Sequence, residues 1–282
     1  MDIARHSQGA RGVLNAYLSQ VHPVFMLPPI AAAAFGAILA GEVHPLGAML
    51  HVVAIFAAVY TAHIKDGYVD FYHRGEDDDH PLTVTGCRLG LVFASALFFS
   101  CLVGLYLVVD IWAVALTLPG WLIGYLHAPQ LDTSPVTTTF GYPTGIAIAI
   151  LGGYYVQVQA LTVEAVALAG VFLVLLGGVK IVDDLQDYDW DLANEKYSMG
   201  VTLGVPRAHR LALGLMAGAL VAVVLLDLVD LIPSGSGLAA GAFIPVLFLA
   251  RNRDPTVGTM LLIRGSYLFL AVLIAIAWFE PL

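Results

Sequence analysis

Two clusters of aspartates in this chain have the spacing of residues that share one face of a helix. The first places Asp66 four residues before Asp70, and the second places Asp183, Asp187 and Asp191 at successive four-residue steps. On a continuous helix this spacing brings neighbouring carboxylates to about 6 Å from one another. Carboxylates so close repel each other unless a cation lies against them. Mg²⁺ prefers oxygen ligands and often binds phosphate oxygens as well, so the spacing predicts a magnesium–diphosphate site.

Three cationic side chains near these clusters could bind the phosphate oxygens directly. Arg74 follows the first cluster by one helical turn, and Lys180 and Lys196 flank the second. Guanidinium and ammonium groups donate strong hydrogen bonds to phosphate. Cations that anchor helix ends at a membrane surface have the same placement, and the sequence leaves both interpretations open.

Other acidic residues lie beside the clusters without sharing their helical face. Asp184 and Asp189 are predicted either to face solvent or to support the site from behind. The acidic run 76–79 is interpreted as a solvated loop, in which Asp77 or Asp78 could also complete the first metal site.

Histidine and aromatic residues near the clusters could take part in chemistry beside a bound diphosphate. His63 precedes Asp66 by one turn and could accept a proton from an acceptor molecule, although a packed histidine is the simpler interpretation. A cation could also be stabilised by the face of an aromatic ring. Six rings are candidates for this wall: Tyr68, Phe71, Tyr72, Phe140, Tyr142 and Tyr154.

Long apolar segments must hold these clusters in place. The chain is 59% hydrophobic and only 12% charged, with a mean hydropathy of +0.85. Such a composition predicts an all-α integral membrane protein that forms a single membrane domain over 1–282. A short amphipathic helix is expected at the interface over about 8–20. Nine transmembrane helices are predicted, at 23–41, 46–65, 87–109, 111–127, 138–159, 161–180, 208–232, 236–250 and 258–279.

The positions of the cations predict the orientation of these helices. All twelve Lys and Arg residues lie in the N-terminal segment or in or beside three connections that a nine-helix count places on one face. By the positive-inside rule, the N-terminus is cytoplasmic, the C-terminus is external, and the polar loops 66–86 and 183–207 are cytoplasmic in the cell membrane. Asp and Glu outnumber Lys and Arg by 21 to 12, which suggests a halophilic organism with high internal salt.

The second aspartate cluster is part of a longer pattern. The DxxxDxxxD run 183–191 is followed by Lys196 and then by Thr202-Leu203-Gly204. In this pattern the chain resembles the UbiA-type superfamily of intramembrane prenyltransferases. The first cluster departs from that superfamily, which has Asn, Asp and Asp at four-residue steps and then Arg-Pro-Leu. The chain instead has Asp66, Asp70 and Arg74, with His80-Pro81-Leu82 after the acidic run.

The resemblance implies a fold, a reaction and a set of site residues. The fold is nine helices around a central cavity that opens to lipid. The reaction is Mg²⁺-dependent transfer of an isoprenyl chain from an allylic diphosphate, such as geranylgeranyl diphosphate, to a lipophilic acceptor. The implied catalytic residues are Asp66, Asp70, Asp183 and Asp187. The implied metal ligands are the same four and Asp191, and the implied diphosphate contacts are Lys180, Lys196, Arg74 and Tyr125, the last in a Tyr-x-x-Pro feature that ends at Pro129.

Two other functions are compatible with the same residues. A terpene cyclase on this scaffold would carry identical motifs, and a cation transporter could use the aspartates as its ion path. Coupled ion sites usually lie near mid-membrane rather than at inner helix ends, which favours the enzyme. The sequence leaves open the acceptor, the prenyl chain length, the group that completes the first metal site and the oligomeric state. Membrane lipids are expected to surround the protein, and no nucleic-acid partner is expected.

Overall fold

A computed structural model describes residues 2–6, 9–41, 44–194 and 196–280. Within these ranges the regular structure is helical, apart from an isolated antiparallel bridge between Ala4 and Leu82. A π-helical turn, Asp70–Arg74, follows the third helix, and a 3₁₀ turn, Leu131–Thr133, precedes the sixth. The helices are α1 (Gly9–Leu18), α2 (Pro23–Leu39), α3 (Pro45–Val69), α4 (Val84–Val108), α5 (Ile111–Leu126), α6 (Pro135–Val158), α7 (Val163–Asp184), α8 (Tyr188–Ala193), α9 (Met199–Leu203), α10 (Val205–Leu228), α11 (Gly237–Ala250) and α12 (Pro255–Phe279).

Nine of the helices in the described ranges are long, and each overlaps one of the nine predicted segments. These are α2 to α7 and α10 to α12. Five of them are long and apolar enough to cross a membrane, and α2 makes a sixth if it is joined to α1, from which it bends by 66°. The helical, multi-pass character of the chain is therefore confirmed. A count of nine membrane crossings stays a prediction, as does the interfacial position of α1.

Single polar side chains begin several of the long helices. Asp110 accepts a hydrogen bond from the backbone N–H of Ala113 at 2.9 Å, which caps α5. Thr162 caps α7 in the same way through Ala165, at 3.3 Å. One side-chain oxygen can satisfy a free N–H of the first helical turn. Very short polar turns are therefore sufficient to separate helices in a chain with so few charged residues.

The long helices form a closed arrangement in which α2 and α6 are central. Helix α2 packs against α6, α3 and α12, and α6 also contacts α5 and α7. Reciprocal glycines hold α2 and α6 together. A Cβ atom on Gly36 would lie 2.0 Å from the Ile150 carbonyl oxygen, and one on Gly153 would lie 2.1 Å from that of Ala33. Only residues without side chains permit so close an approach of two backbones.

Candidate active site

A cavity of about 750 Å³ lies among α2, α3, α5, α6, α7 and α12. Its polar end is formed by Asp66 and Asp70 at the end of α3, and by Lys180 and Asp183 at the end of α7. The rest of the lining is mostly apolar. Members of the two aspartate clusters, which are more than a hundred residues apart in the chain, therefore meet at one cavity. Such a cavity suits an amphiphile with an anionic head group.

An arginine joins one aspartate of the first cluster to Asp132. Arg74 Nη1 donates to Asp70 Oδ1 at 3.1 Å, and Arg74 Nη2 donates to Asp132 Oδ2 at 2.7 Å. Asp70 and Arg74 are the first and last residues of the π-helical turn, which Gly75 closes at a φ of 65°. A single π-helical turn at the end of an α-helix often marks a functional site. Arg74 therefore ties the end of α3 to the turn that precedes α6.

A lysine is shared by Asp183 of the second cluster and by the adjacent Asp184. Lys180 Nζ lies 2.8 Å from Asp183 Oδ2 and 2.7 Å from Asp184 Oδ1. Asp183 lines the cavity, whereas Asp184 is only 3% exposed. Asp184 was predicted either to face solvent or to support the site from behind. The structure shows the second position: Asp184 is buried, and Lys180 links it to Asp183. Asp189 is exposed.

The second cluster does not lie on one continuous helix, so the prediction of a three-carboxylate stack is wrong. Helix α7 ends at Asp184, and Asp187 precedes α8 with φ −101° and ψ 16°. Aspartate is a poor helix former, and acidic groups are unfavourable at the negative C-terminal end of a helix. The resulting turn directs Asp191 to the protein interior, where it is 0% exposed.

The Asp191 carboxylate lies near a lysine, but neither of its oxygens accepts a hydrogen bond. Lys196 Nζ lies 3.5 Å from Asp191 Oδ1, and neither carboxylate oxygen of Asp191 has a hydrogen-bond partner. Burial alone would lower the pKa of Lys196, but the charges of Asp191 and Asp132 raise it above its usual value. Lys196 is therefore held in its charged form by Asp191 of the second cluster and by Asp132.

The acidic loop after the first cluster is exposed and lies at the mouth of the cavity. Asp77, Asp78 and Asp79 are all exposed, and Asp77 and Asp79 also line the cavity. Partial burial raises the pKa of Glu76, and the charges of Asp66 and Asp187 raise it further against the opposing effects of Lys196 and Arg74. Glu76 therefore lies within electrostatic reach of both aspartate clusters.

Some predicted site residues are not among the described residues that line the cavity. The ring of Tyr125 stacks on Trp121, with centroids 5.0 Å apart, and Lys65 Nζ lies 4.8 Å from its centre. The contact of Tyr125 with diphosphate therefore stays a prediction. Of the six aromatic candidates, Tyr142 lines the cavity. Arg74, Asp187, Asp191 and Lys196 surround the polar end without forming its wall.

Sequence analysis missed three polar residues of the site. Asp132 binds Arg74, and its carbonyl oxygen accepts the backbone N–H of Tyr197 at 3.3 Å. His127 Nε2 lies 3.9 Å from Asp66 Oδ1, and His22 lines the cavity. These three residues follow helices or turns without any recurring spacing, so the sequence carried no signal for them.

The charged residues fit a magnesium ion that is bound together with a substrate. In the part of the chain that the structure describes, no group of three or more His, Cys, Asp and Glu residues is arranged to hold a metal ion. Yet both aspartate clusters face one cavity, and buried oxygens of Asp184 and Asp191 lack hydrogen-bond partners. Carboxylates are suitable ligands for Mg²⁺, and a diphosphate would supply further oxygens. The site therefore fits Mg²⁺ as a joint ligand with a phosphorylated substrate.

The comparison with solved structures identifies the architecture. No protein-family model and no curated protein sequence matches the chain. A digeranylgeranylglyceryl phosphate synthase superposes with a TM-score of 0.73, at 18% identity, over 94% of this chain and 99% of the other. A UbiA homologue from Aeropyrum pernix K1 gives a TM-score of 0.68, at 14% identity, over 91% and 98%. The chain has the UbiA fold.

A third structure of this fold contains a substrate and a metal ion. It is a UbiA homologue from Archaeoglobus fulgidus bound to DMAPP and Mg²⁺, with a TM-score of 0.65, 17% identity and coverage of 94% of this chain and 98% of the other. The resemblance inferred from the aspartate motifs is therefore confirmed at the level of the fold.

Proposed function

We propose that this protein transfers an isoprenyl chain from an allylic isoprenyl diphosphate to a lipophilic acceptor, with Mg²⁺ as cofactor, and releases diphosphate. The observation that carries this proposal is the meeting of Asp66, Asp70, Asp183 and Lys180 at the polar end of one largely apolar cavity. The UbiA fold supports it, because homologues of this fold from Archaeoglobus fulgidus were solved with DMAPP and with GPP, each with Mg²⁺.

The aspartates would hold the metal and the cations would hold the diphosphate. Asp66 and Asp70 would bind Mg²⁺ from one side, and Asp183 and Asp187 from the other, with Asp191 behind them. When bound, Mg²⁺ would stabilise the negative charge that develops on the leaving diphosphate. The cationic residues Lys180, Lys196 and Arg74 would orient the diphosphate and balance the charge that remains.

The apolar body of the cavity would hold the isoprenyl chain and exclude water. Exclusion of water strengthens the electrostatic interactions inside the cavity and protects an allylic cation from hydrolysis. We place the polar end at the cytoplasmic face, because the cations of the chain lie on that face in a nine-helix topology. Geranylgeranyl diphosphate is our candidate donor, and the halophilic origin stays a prediction.

Diphosphate release by the purified protein tests this proposal. With geranyl diphosphate as donor and a membrane lipid extract as the source of acceptor, we expect release that EDTA stops and that added Mg²⁺ restores. Asp70→Asn should lower the rate at least ~10³-fold, because a transition-state contact is lost. The matched control is Asp189→Asn, which removes one charge from an exposed position. Flux of cations without diphosphate release would favour a transporter and would contradict the proposal.

A further inference from the structure

His63 is placed where an allylic diphosphate would react. It lines the cavity from α3, one turn before Asp66. Three residues advance a helix by about 4.5 Å and return to the same face. His63 therefore lies below the first aspartate cluster, toward the apolar body of the cavity. A diphosphate held at Asp66 and Asp70 would place its allylic carbon at a similar depth.

We infer that His63 accepts the proton that the nucleophile loses when it captures the allylic cation. This inference rests on the proposed prenyl transfer and adds a catalytic residue to it. The substrate class that it implies is an acceptor whose nucleophilic atom carries a proton, such as a hydroxyl compound.

The transfer produces one proton that needs an acceptor inside the cavity. The bond between the allylic carbon and the bridging oxygen breaks, and its electron pair leaves with the diphosphate. A lone pair of the nucleophile's hydroxyl oxygen then forms the new carbon–oxygen bond, which leaves that oxygen positively charged. The oxonium product can revert to the cation until its O–H proton is removed. A positioned base therefore makes the capture irreversible.

The carboxylates of the cavity are poorly placed to take this proton. Asp70 accepts a hydrogen bond from Arg74, and Asp183 accepts one from Lys180. Asp79 is paired with Arg5 at 3.0 Å, and Asp77 lies in the exposed acidic loop at the mouth of the cavity. Asp66 is a proposed metal ligand, and carboxylates that bind a cation are weaker bases. These acids therefore serve the diphosphate end.

The other histidines of the cavity have different contacts. His80 Nδ1 accepts the backbone N–H of Leu82 at 3.2 Å, and its Nε2, which has no hydrogen-bond partner, is buried against Gly67. His127 lies against Asp66, at the metal end of the site. His63 instead contacts the rings of His22 and Phe25, with centroids 5.0 and 6.2 Å away.

His22 gives the proton a way out of the cavity. Its ring is exposed and lies against that of His63, and its Nε2 is 3.1 Å from the Ser19 carbonyl oxygen. A proton taken by His63 could therefore pass to His22 and then to solvent. Imidazole groups are suited to such relays because a neutral ring accepts a proton at one nitrogen and carries a donor N–H at the other.

The test separates formation of the cation from its capture, with no lipophilic acceptor added, so that the nucleophile is the water that slowly enters the cavity. Geranyl diphosphate that carries ¹⁸O at the bridging position is incubated with the intact protein and Mg²⁺. Movement of ¹⁸O to the non-bridging positions of recovered substrate measures reversible ionisation. The appearance of geraniol and linalool measures capture. In His63→Gln we expect the ratio of capture to exchange to fall at least ~10-fold, because a general base typically contributes 10²-fold or more.

The control and the remaining outcomes decide between the inference and the proposed function. His44→Gln changes an exposed histidine at the opposite end of α3 and should keep the wild-type ratio. Continued ¹⁸O exchange in His63→Gln would also show that the variant is folded. A wild-type ratio in His63→Gln, or an equal loss of exchange and capture, would overturn the role of His63. Absence of both signals in the wild-type protein would instead overturn the proposed function, and the inference with it.

Discussion

Adjacent aspartates at the end of α7 are expected to have different roles, although both contact Lys180. Asp183 has a side chain that is 27% exposed and faces the cavity, whereas that of Asp184 is 3% exposed. We predict that Asp183→Asn mainly impairs catalysis and that Asp184→Asn mainly impairs stability. The two substitutions are chemically identical and one residue apart, so each is the control for the other.

The expected magnitudes follow from burial and from the shared lysine. Loss of one partner from a buried ion pair typically costs ~3–5 kcal/mol. Lys180 keeps its contact with Asp183 when Asp184 is changed. We therefore expect Asp184→Asn to lower the free energy of unfolding by about 2 kcal/mol, which corresponds to a fall of ~4–8 °C in the midpoint of thermal unfolding. Asp183→Asn should lower the free energy of unfolding by at most ~1 kcal/mol, because the ion pair of Asp183 is partly exposed. Its rate of diphosphate release should fall ~10³-fold, which corresponds to about 4 kcal/mol.

Two measurements on each variant test this division. Thermal unfolding in detergent reports stability, and diphosphate release from geranyl diphosphate at a temperature well below both midpoints reports catalysis. Asp184→Asn should keep turnover within ~10-fold of the wild-type rate, since it acts on the diphosphate only through Lys180. Near-normal turnover by Asp183→Asn, or a stable but inactive Asp184→Asn, would refute the reasoning.

Two further predictions concern the second cluster and the helix packing. Asp187→Ala should nearly abolish diphosphate release with little effect on the unfolding midpoint, because a proposed metal ligand is lost. Asp78→Ala, in an exposed part of the acidic loop, should lower the rate of release only slightly. Equal rates for the two variants would contradict the assignment of Asp187. Gly36→Ala should lower the unfolding midpoint by several degrees, because its Cβ would lie 2.0 Å from the Ile150 carbonyl oxygen. The same change at Gly241, where no atom lies within 4 Å of the added Cβ, is the control, and equal midpoints for the two variants would argue against this close contact of α2 and α6.

The sequence predicted the helices well because hydropathy depends mainly on local composition. Each predicted segment overlaps a long helix, and even the short turn at Asp110 separates two of them. The aspartate spacing also selected Asp66, Asp70 and Asp183, which line the cavity, together with Asp187 and Asp191, which do not. Both predictions depend only on residue type and on position along one segment of the chain.

Features that depend on contacts between segments could not be read from the sequence. Helical spacing suggested one stack over 183–191, but the chain turns after Asp184 and buries Asp191 beside Lys196. Arg74 could not be assigned its partner Asp132, because the two residues are 58 positions apart. The stacking of Tyr125 on Trp121 could not be predicted either, because it depends on which face of α5 packs against the neighbouring helices.

The most direct test of the central claim is an experimental structure of the protein with Mn²⁺, as a visible substitute for Mg²⁺, and geranyl thiolodiphosphate, an analogue that does not ionise readily. The account predicts metal density beside Asp66 and Asp70 and beside Asp183 and Asp187, joined by the diphosphate of one analogue molecule whose prenyl chain lies in the apolar part of the cavity. Metal at one cluster alone, with the diphosphate bound elsewhere, would contradict the claim that the two clusters form a single site.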